Sequence, residues 1–141
     1  MTLGTLWTFN FIRLIFMFSF KRLFLSFKTA SEGLIFVFRT EQNFRLQILF
    51  GFLAILFSYL FDLRTSERII VILLIMIVLT MEILNTALEQ FTDLLKPRLH
   101  HYVKTIKDIM AAAVFLTSIG ALVVGIIIFW PHFITIVNDL R

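Results

Sequence analysis

Glu82, Asn85, Glu89 and Asp93 place three carboxylates and an amide on one helical stripe. At about 100° per residue they fall within roughly 80° of one another. They emerge directly from the apolar run Ile69-Ile-Val-Ile-Leu-Leu-Ile-Met-Ile-Val-Leu-Thr80. Charge at the edge of such a segment is costly, so an acid there is a functional-site candidate by default. Carboxylate oxygens suit a hard divalent ion, and Mg²⁺ commonly takes one or two protein carboxylates beside substrate phosphates. Glu89 can serve in this way, with Glu41 as a second acid just before the first apolar segment. Glu82 lies deeper in the apolar stretch and is the natural candidate for a general base. Asn85 can orient a hydroxyl or a phosphate. Lys107-Asp108 offers a cation for phosphate and an acid to position it. Phosphoryl transfer needs little beyond positioning, metal and positive charge. The same residues also suit a polar network that glues helices together, or a path for ions or protons. Taken alone, they leave all three readings open.

Other chemistries find no support in the chain. Gly4, Gly33, Gly51, Gly120 and Gly125 are scattered, and none builds a phosphate-cradling Gly-rich loop. No nucleophile turn of the hydrolase type is present. His100, His101 and His132 make no metal-ligand pattern with the acids. Cysteine is absent, which excludes disulfides and thiolate chemistry.

The elements that must position these residues are membrane helices. The chain has 141 residues, 60% of them hydrophobic and 16% charged. An average soluble domain is about 25% charged, so this composition covers a water-facing surface poorly. A net charge of +4 reads in such a chain as topology and lipid-headgroup contact, not as nucleic-acid binding. Three segments are candidates to span, at about 43–63, 67–93 and 108–130, the last stopping at Pro131. A bilayer core needs about 20 helical residues, so the first two reach it only with polar ends. Arg13, Lys21, Arg22, Lys28, Arg39 and Arg45 precede the first span, and Lys96, Arg98, Lys104 and Lys107 lie between the second and third. The positive-inside rule then puts the N-terminus and the 94–110 loop in the cytoplasm. That loop is expected to turn at Pro97.

Before the first span, residues 21–40 form an expected amphipathic surface helix. Lys21, Lys28, Glu32 and Arg39 fall within about 40° of one another, whereas Leu23, Phe27, Ala30, Leu34 and Phe38 face away. Residues 1–20 are an apolar extension without the marks of a cleaved signal peptide. Residues 21–141 read as a single domain.

Glu82-Ile-Leu-Asn85-Thr-Ala-Leu-Glu89, then Asp93, then Lys107-Asp108 followed by Ala111-Ala-Ala113, resembles the bacterial integral-membrane diacylglycerol kinase family, which includes undecaprenol kinase. Thr40-Glu41-Gln42-Asn43-Phe44 is similar to that family's acidic segment before its first span, and Arg22-Leu-Phe-Leu-Ser-Phe27 with Gly33 to its surface helix. The resemblance covers about residues 21–133. It implies an all-α membrane protein with three transmembrane helices and an N-terminal surface helix, assembled as a homotrimer with active sites between subunits. It implies an ATP-dependent lipid kinase of the bacterial plasma membrane. The γ-phosphate of Mg-ATP would pass to the primary hydroxyl of diacylglycerol, giving phosphatidic acid, or alternatively to undecaprenol. Under it Glu82 is the base and meets the lipid hydroxyl, while Glu41 and Glu89 hold Mg²⁺ on the nucleotide. Asn85, Lys107 and Asp108 serve the nucleotide, and Arg22 and His100 match positions used near ATP, Arg22 also near the lipid. The chain departs from the family at Gln47, where some members carry another acid, at Pro97-Arg98-Leu99, and at Ile109-Met110, which replace smaller residues.

Overall fold

The structure, a computed structural model, describes residues 19–139, the side chains of 95–101 and 139 excepted. Three helices account for nearly all of it: α1 (Phe20–Thr40), α2 (Gln42–Leu60) and α3 (Thr65–Asp139). The chain divides into two compact units, residues 1–36 and 37–141. Within the first unit α1 is regular, and Ser26, Thr29 and Ser31 each donate a side-chain hydroxyl to the carbonyl four residues back. Lys28 and Glu32 pair on the exposed polar stripe at 3.9 Å.

The remaining architecture lies in the second unit. Its 75-residue helix α3 cannot be straight. Asp93 and Lys107 would stand about 21 Å apart along a straight axis at 1.5 Å per residue. Their Oδ1 and Nζ atoms are 2.7 Å apart. Glu67 and His132, far more distant in sequence, come within 3.4 Å. The helix therefore reverses between Leu94 and Tyr102, making an outgoing limb Thr65–Leu94 and a return limb Tyr102–Asn138. These limbs and α2 are three helical stretches long and apolar enough to cross a membrane.

Two boundaries differ from the sequence expectation. The backbone is helical through 94–110, where the sequence predicts a loop, so the reversal is made within hydrogen-bonded helical turns. The return limb also continues past Pro131 to Asp139 instead of stopping there. Proline removes one N–H, but a membrane helix tolerates this where neighbouring polar groups answer the backbone. Around Pro131 the His132 ring nitrogen Nδ1 lies 3.1 Å from the Ile128 carbonyl and Thr135 donates to the Pro131 carbonyl, while the carbonyl that the missing N–H frees is that of Ile127.

The turn from α2 into α3 is compact. Asp62 has φ 47°, and Asp62 and Leu63 donate backbone N–H groups to the carbonyls of Tyr59 and Ser58. This is a Schellman ending, which satisfies carbonyls that the helix end would otherwise orphan. Glu67 reaches back to the Arg64 N–H at 2.9 Å and caps the start of α3. Arg68 donates to the Leu63 carbonyl and stacks over the Tyr59 ring at 4.2 Å. Below the turn Leu63, Val71 and Ile128 are buried together, with Phe61 edge-on to Phe129. Gly51 is buried where α2 meets α3: a Cβ there would lie 3.0 Å from Ile75 Cγ2.

The unit buries polar side chains beside apolar ones and exposes many large apolar ones. Ser58, Glu82, Asn85, Thr86 and Thr92 are buried, whereas Phe, Leu and Ile side chains along all three spans are exposed. Such an arrangement suits a hydrocarbon solvent, in which outward apolar groups cost nothing and polar groups must find partners within.

Candidate active site

The acids gather where α2 begins and the outgoing limb of α3 nears its end. Glu41 is the single extended residue joining α1 to α2, with φ −100° and ψ 117°. Its backbone N–H still bonds to the Val37 carbonyl, and Arg45 reaches back to the carbonyls of Phe38 and Arg39. A cation on the last carbonyls of a helix is favoured by both hydrogen bonding and the helix dipole. Glu41 is thus held in place from both sides, half-buried.

Glu82 is the pivot. It lies about 25 Å along the axis from Thr65 at about 1.5 Å per residue, and only 2% of it is exposed. Gln47 of α2 donates Nε2–H to Glu82 Oε2 at 3.0 Å. Asn43 sits beside the same carboxylate, and Glu41 and Glu89 are close enough to act on it electrostatically. One turn on, Asn85 donates Nδ2–H to Glu89 Oε1 at 3.2 Å. Thr86 and Thr92 turn their hydroxyls back onto the carbonyls of Glu82 and Glu89. Asn85 Oδ1 and Gln47 Oε1 are buried with no hydrogen-bond partner among the described residues.

At the reversal of α3, Lys107 is held by Asp93 at 2.7 Å. Asp93 therefore has a partner that spacing alone did not reveal. Asp108 is exposed on the next residue. Of the sequence-derived site, the structure brings Glu41, Glu82, Asn85 and Glu89 into one cluster and pairs Lys107 with Asp93. Arg22 is exposed in the first unit, and the side chain of His100 lies outside the described residues, as do residues 1–18.

In the sequence Gln47 stands out only as a departure from the family, with no role given to it there. A signal was available: Asn43 and Gln47 stand four residues apart, on one face of a largely apolar span. Gln47 also ends an apolar groove of about 880 Å³. Phe57 of α2, Phe61 just past its end, Leu79 of the outgoing limb and Leu122 and Trp130 of the return limb line its length. A hydrocarbon chain along that groove would bring its head to the Gln47–Glu82 pair.

Among the described residues no three acids or histidines come close enough to enclose a metal alone. The donors are nonetheless of the right kind for a hard cation shared with phosphates: the Glu41 and Glu89 carboxylates, and the unpartnered amide oxygen of Asn85.

Known proteins similar to this chain fit that chemistry. The profile of the family described as "Prokaryotic diacylglycerol kinase" matches residues 28–129. The undecaprenol kinase of Bacillus subtilis (strain 168) is 34% identical over 110 residues, covering 78% of this chain and 89% of the relative. The diacylglycerol kinase of Synechocystis sp. is 36% identical over 104 residues, covering 73% of this chain and 59% of the relative. That of Escherichia coli (strain K12) is 30% identical over 102 residues, covering 72% and 84%.

Proposed function

Because this chain belongs to the prokaryotic diacylglycerol kinase family, and is a lipid kinase embedded in a membrane, we propose that it transfers the γ-phosphate of Mg-ATP to the primary hydroxyl of diacylglycerol. The observation that carries this reading is Glu82: a carboxylate 2% exposed, held by an amide at the end of an apolar groove, with two further carboxylates beside it.

In the proposed reaction the lipid lies with its hydrocarbon in the groove and its hydroxyl at Glu82. The carboxylate takes the hydroxyl proton as the lipid oxygen bonds to the γ-phosphorus. The bond from that phosphorus to the β,γ-bridging oxygen breaks, and ADP leaves with the electron pair. Glu41 and Glu89 are the residues that would hold Mg²⁺, whose chemistry is to neutralise charge on the transferring phosphates. Asn85 fixes Glu89 through its Nδ2–H. Lys107 and Asp108 face the nucleotide phosphates, Lys107 exchanging Asp93 for them. The family resemblance assigns Arg22 and His100 to the nucleotide, and Arg22 also to the lipid. The subunits form a homotrimer in a bacterial plasma membrane, with the N-terminus and the 94–110 turn on the cytoplasmic side, where ATP is found.

Undecaprenol is the second reading for the acceptor. The 34% identical relative that bears this name and the Glu41-Gln42-Asn43-Phe44 segment favour it. A groove of hydrocarbon side chains discriminates weakly between lipid tails. One experiment tests both readings: γ-labelled ATP with purified protein and the two lipid alcohols offered side by side. Labelled phosphatidic acid in excess supports the first reading, and labelled undecaprenyl phosphate in excess the second. No label in either lipid refutes the kinase assignment.

A further inference from the structure

We infer that Gln47 is a positioning residue for the phosphoryl transfer: its amide fixes which oxygen of Glu82 meets the lipid hydroxyl. The inference rests on the base role proposed for Glu82. A carboxylate can only accept a hydrogen bond, so the Gln47 amide must turn Nε2–H toward it; the opposite flip would set two oxygens against each other. That donor occupies Oε2 at 3.0 Å. Oε1 carries no Gln47 donor and is the oxygen assigned to the hydroxyl proton, with Asn43 beside the same carboxylate. Gln47 also lines the end of the groove, so it touches both the base and the place where the lipid head would lie.

The surroundings favour such a donor in this chain. Glu82 is faced by Glu41 from the α1–α2 junction, by Glu89 from α3, and by the neutral amides of Asn43 and Gln47 from α2. No cation is among these neighbours within the described residues. Two carboxylates press on the base electrostatically, and amide hydrogens are what hold its orientation against them. Glutamine suits this place because it donates without itself titrating. Its remaining oxygen, Oε1, is buried and unpartnered among the described residues. A buried acceptor left unmade is costly, and the donor bond to Glu82 is what offsets that cost.

The test uses full-length protein in lipid–detergent micelles, with Gln47→Met, Gln47→Glu and Glu82→Gln. Gln47→Met keeps the length and removes the donor. Its kcat should fall about tenfold to a hundredfold, the range for losing a hydrogen bond to a charged group. KM for Mg-ATP should stay within about twofold, since a positioning loss appears in kcat. Gln47→Glu keeps the size, so it reports even where the methionine variant folds poorly. Its added carboxylate shares a proton with Glu82, and the acidic limb of the pH–rate profile should move to higher pH. The split between kcat and KM in the methionine variant is what a merely structural role would not produce. In the Glu82→Gln background, Gln47→Met should change the residual rate little, because its effect runs through Glu82.

Parental kcat and parental pH profile in both Gln47 variants would overturn the inference. So would an undiminished effect of Gln47→Met in the Glu82→Gln background. If Glu82→Gln itself turns over normally, the base assignment fails instead. If that variant is inactive while the Gln47 variants behave as the parent, only the positioning role is lost.

Discussion

Replacing Glu82 by Gln separates a catalytic carboxylate from one that only glues helices, because the two readings predict opposite pairs of outcomes. The substitution keeps shape and volume. The carbonyl oxygen of the new amide can still accept from Gln47 Nε2, which stands 3.0 Å from Glu82 Oε2 in the parent. What disappears is the base. General-base catalysis contributes roughly 10²–10⁴-fold, or about 3–5 kcal/mol of barrier at about 1.36 kcal/mol per tenfold. Stability should move the other way. Glu82 is buried with Glu41 and Glu89 nearby, so a neutral amide removes like-charge repulsion and a desolvated charge. The gain expected is on the order of 1 kcal/mol. The assay pairs label transfer from ATP to diacylglycerol with thermal unfolding in the same detergent. Activity lost together with an equal or higher unfolding midpoint supports the base. Normal turnover refutes it. A lowered midpoint with turnover falling only in proportion to the folded fraction would return Glu82 to the role of helix glue.

Other substitutions probe the remaining parts. Glu89→Gln should raise the Mg²⁺ concentration for half-maximal rate on the order of tenfold or more, measured by titration at fixed ATP. Lys107→Met removes both the Asp93 pair and the proposed phosphate contact. KM for ATP should rise on the order of tenfold while KM for the lipid stays constant in steady-state kinetics. Gly51→Leu forces side-chain atoms into Ile75, whose Cγ2 already stands 3.0 Å from the place of a Cβ; overpacking of this kind costs about 1–3 kcal/mol, read as a lower unfolding midpoint. Asp62→Val puts a β-branched residue at φ 47°. It should destabilise by about 1–3 kcal/mol, whereas Asp62→Gly should stay near the parent.

The acids of the candidate site were legible because a helix repeats. Glu82, Asn85, Glu89 and Asp93 share a stripe by backbone geometry alone, and Glu41 was marked by its place beside a span. The capping of α3 by Glu67 is equally local. Gln47 was harder to see, since an amide in a largely apolar segment acquires its meaning only when another helix brings Glu82 to it. The Asp93–Lys107 pair depends on where α3 reverses. Proline at 97 looked like the end of a helix, yet the backbone stays helical through it, and Pro131 likewise fails to stop the return limb.

Composition and periodicity by themselves determined that this chain is a membrane protein of three spans carrying a stripe of acids. Each of these is a property of one segment in contact with its solvent. A run of apolar residues seeks hydrocarbon whatever its neighbours are, and a period of 3.6 residues aligns side chains without help. Tertiary structure decided the partners: Gln47 on Glu82, Asp93 on Lys107, Glu67 on His132, and the apolar groove that ends at Gln47. Those contacts depend on the rotation and depth at which one helix packs against the next. Many side chains fix that packing jointly, through close approaches such as Gly51 against Ile75, and no single stretch of sequence contains it.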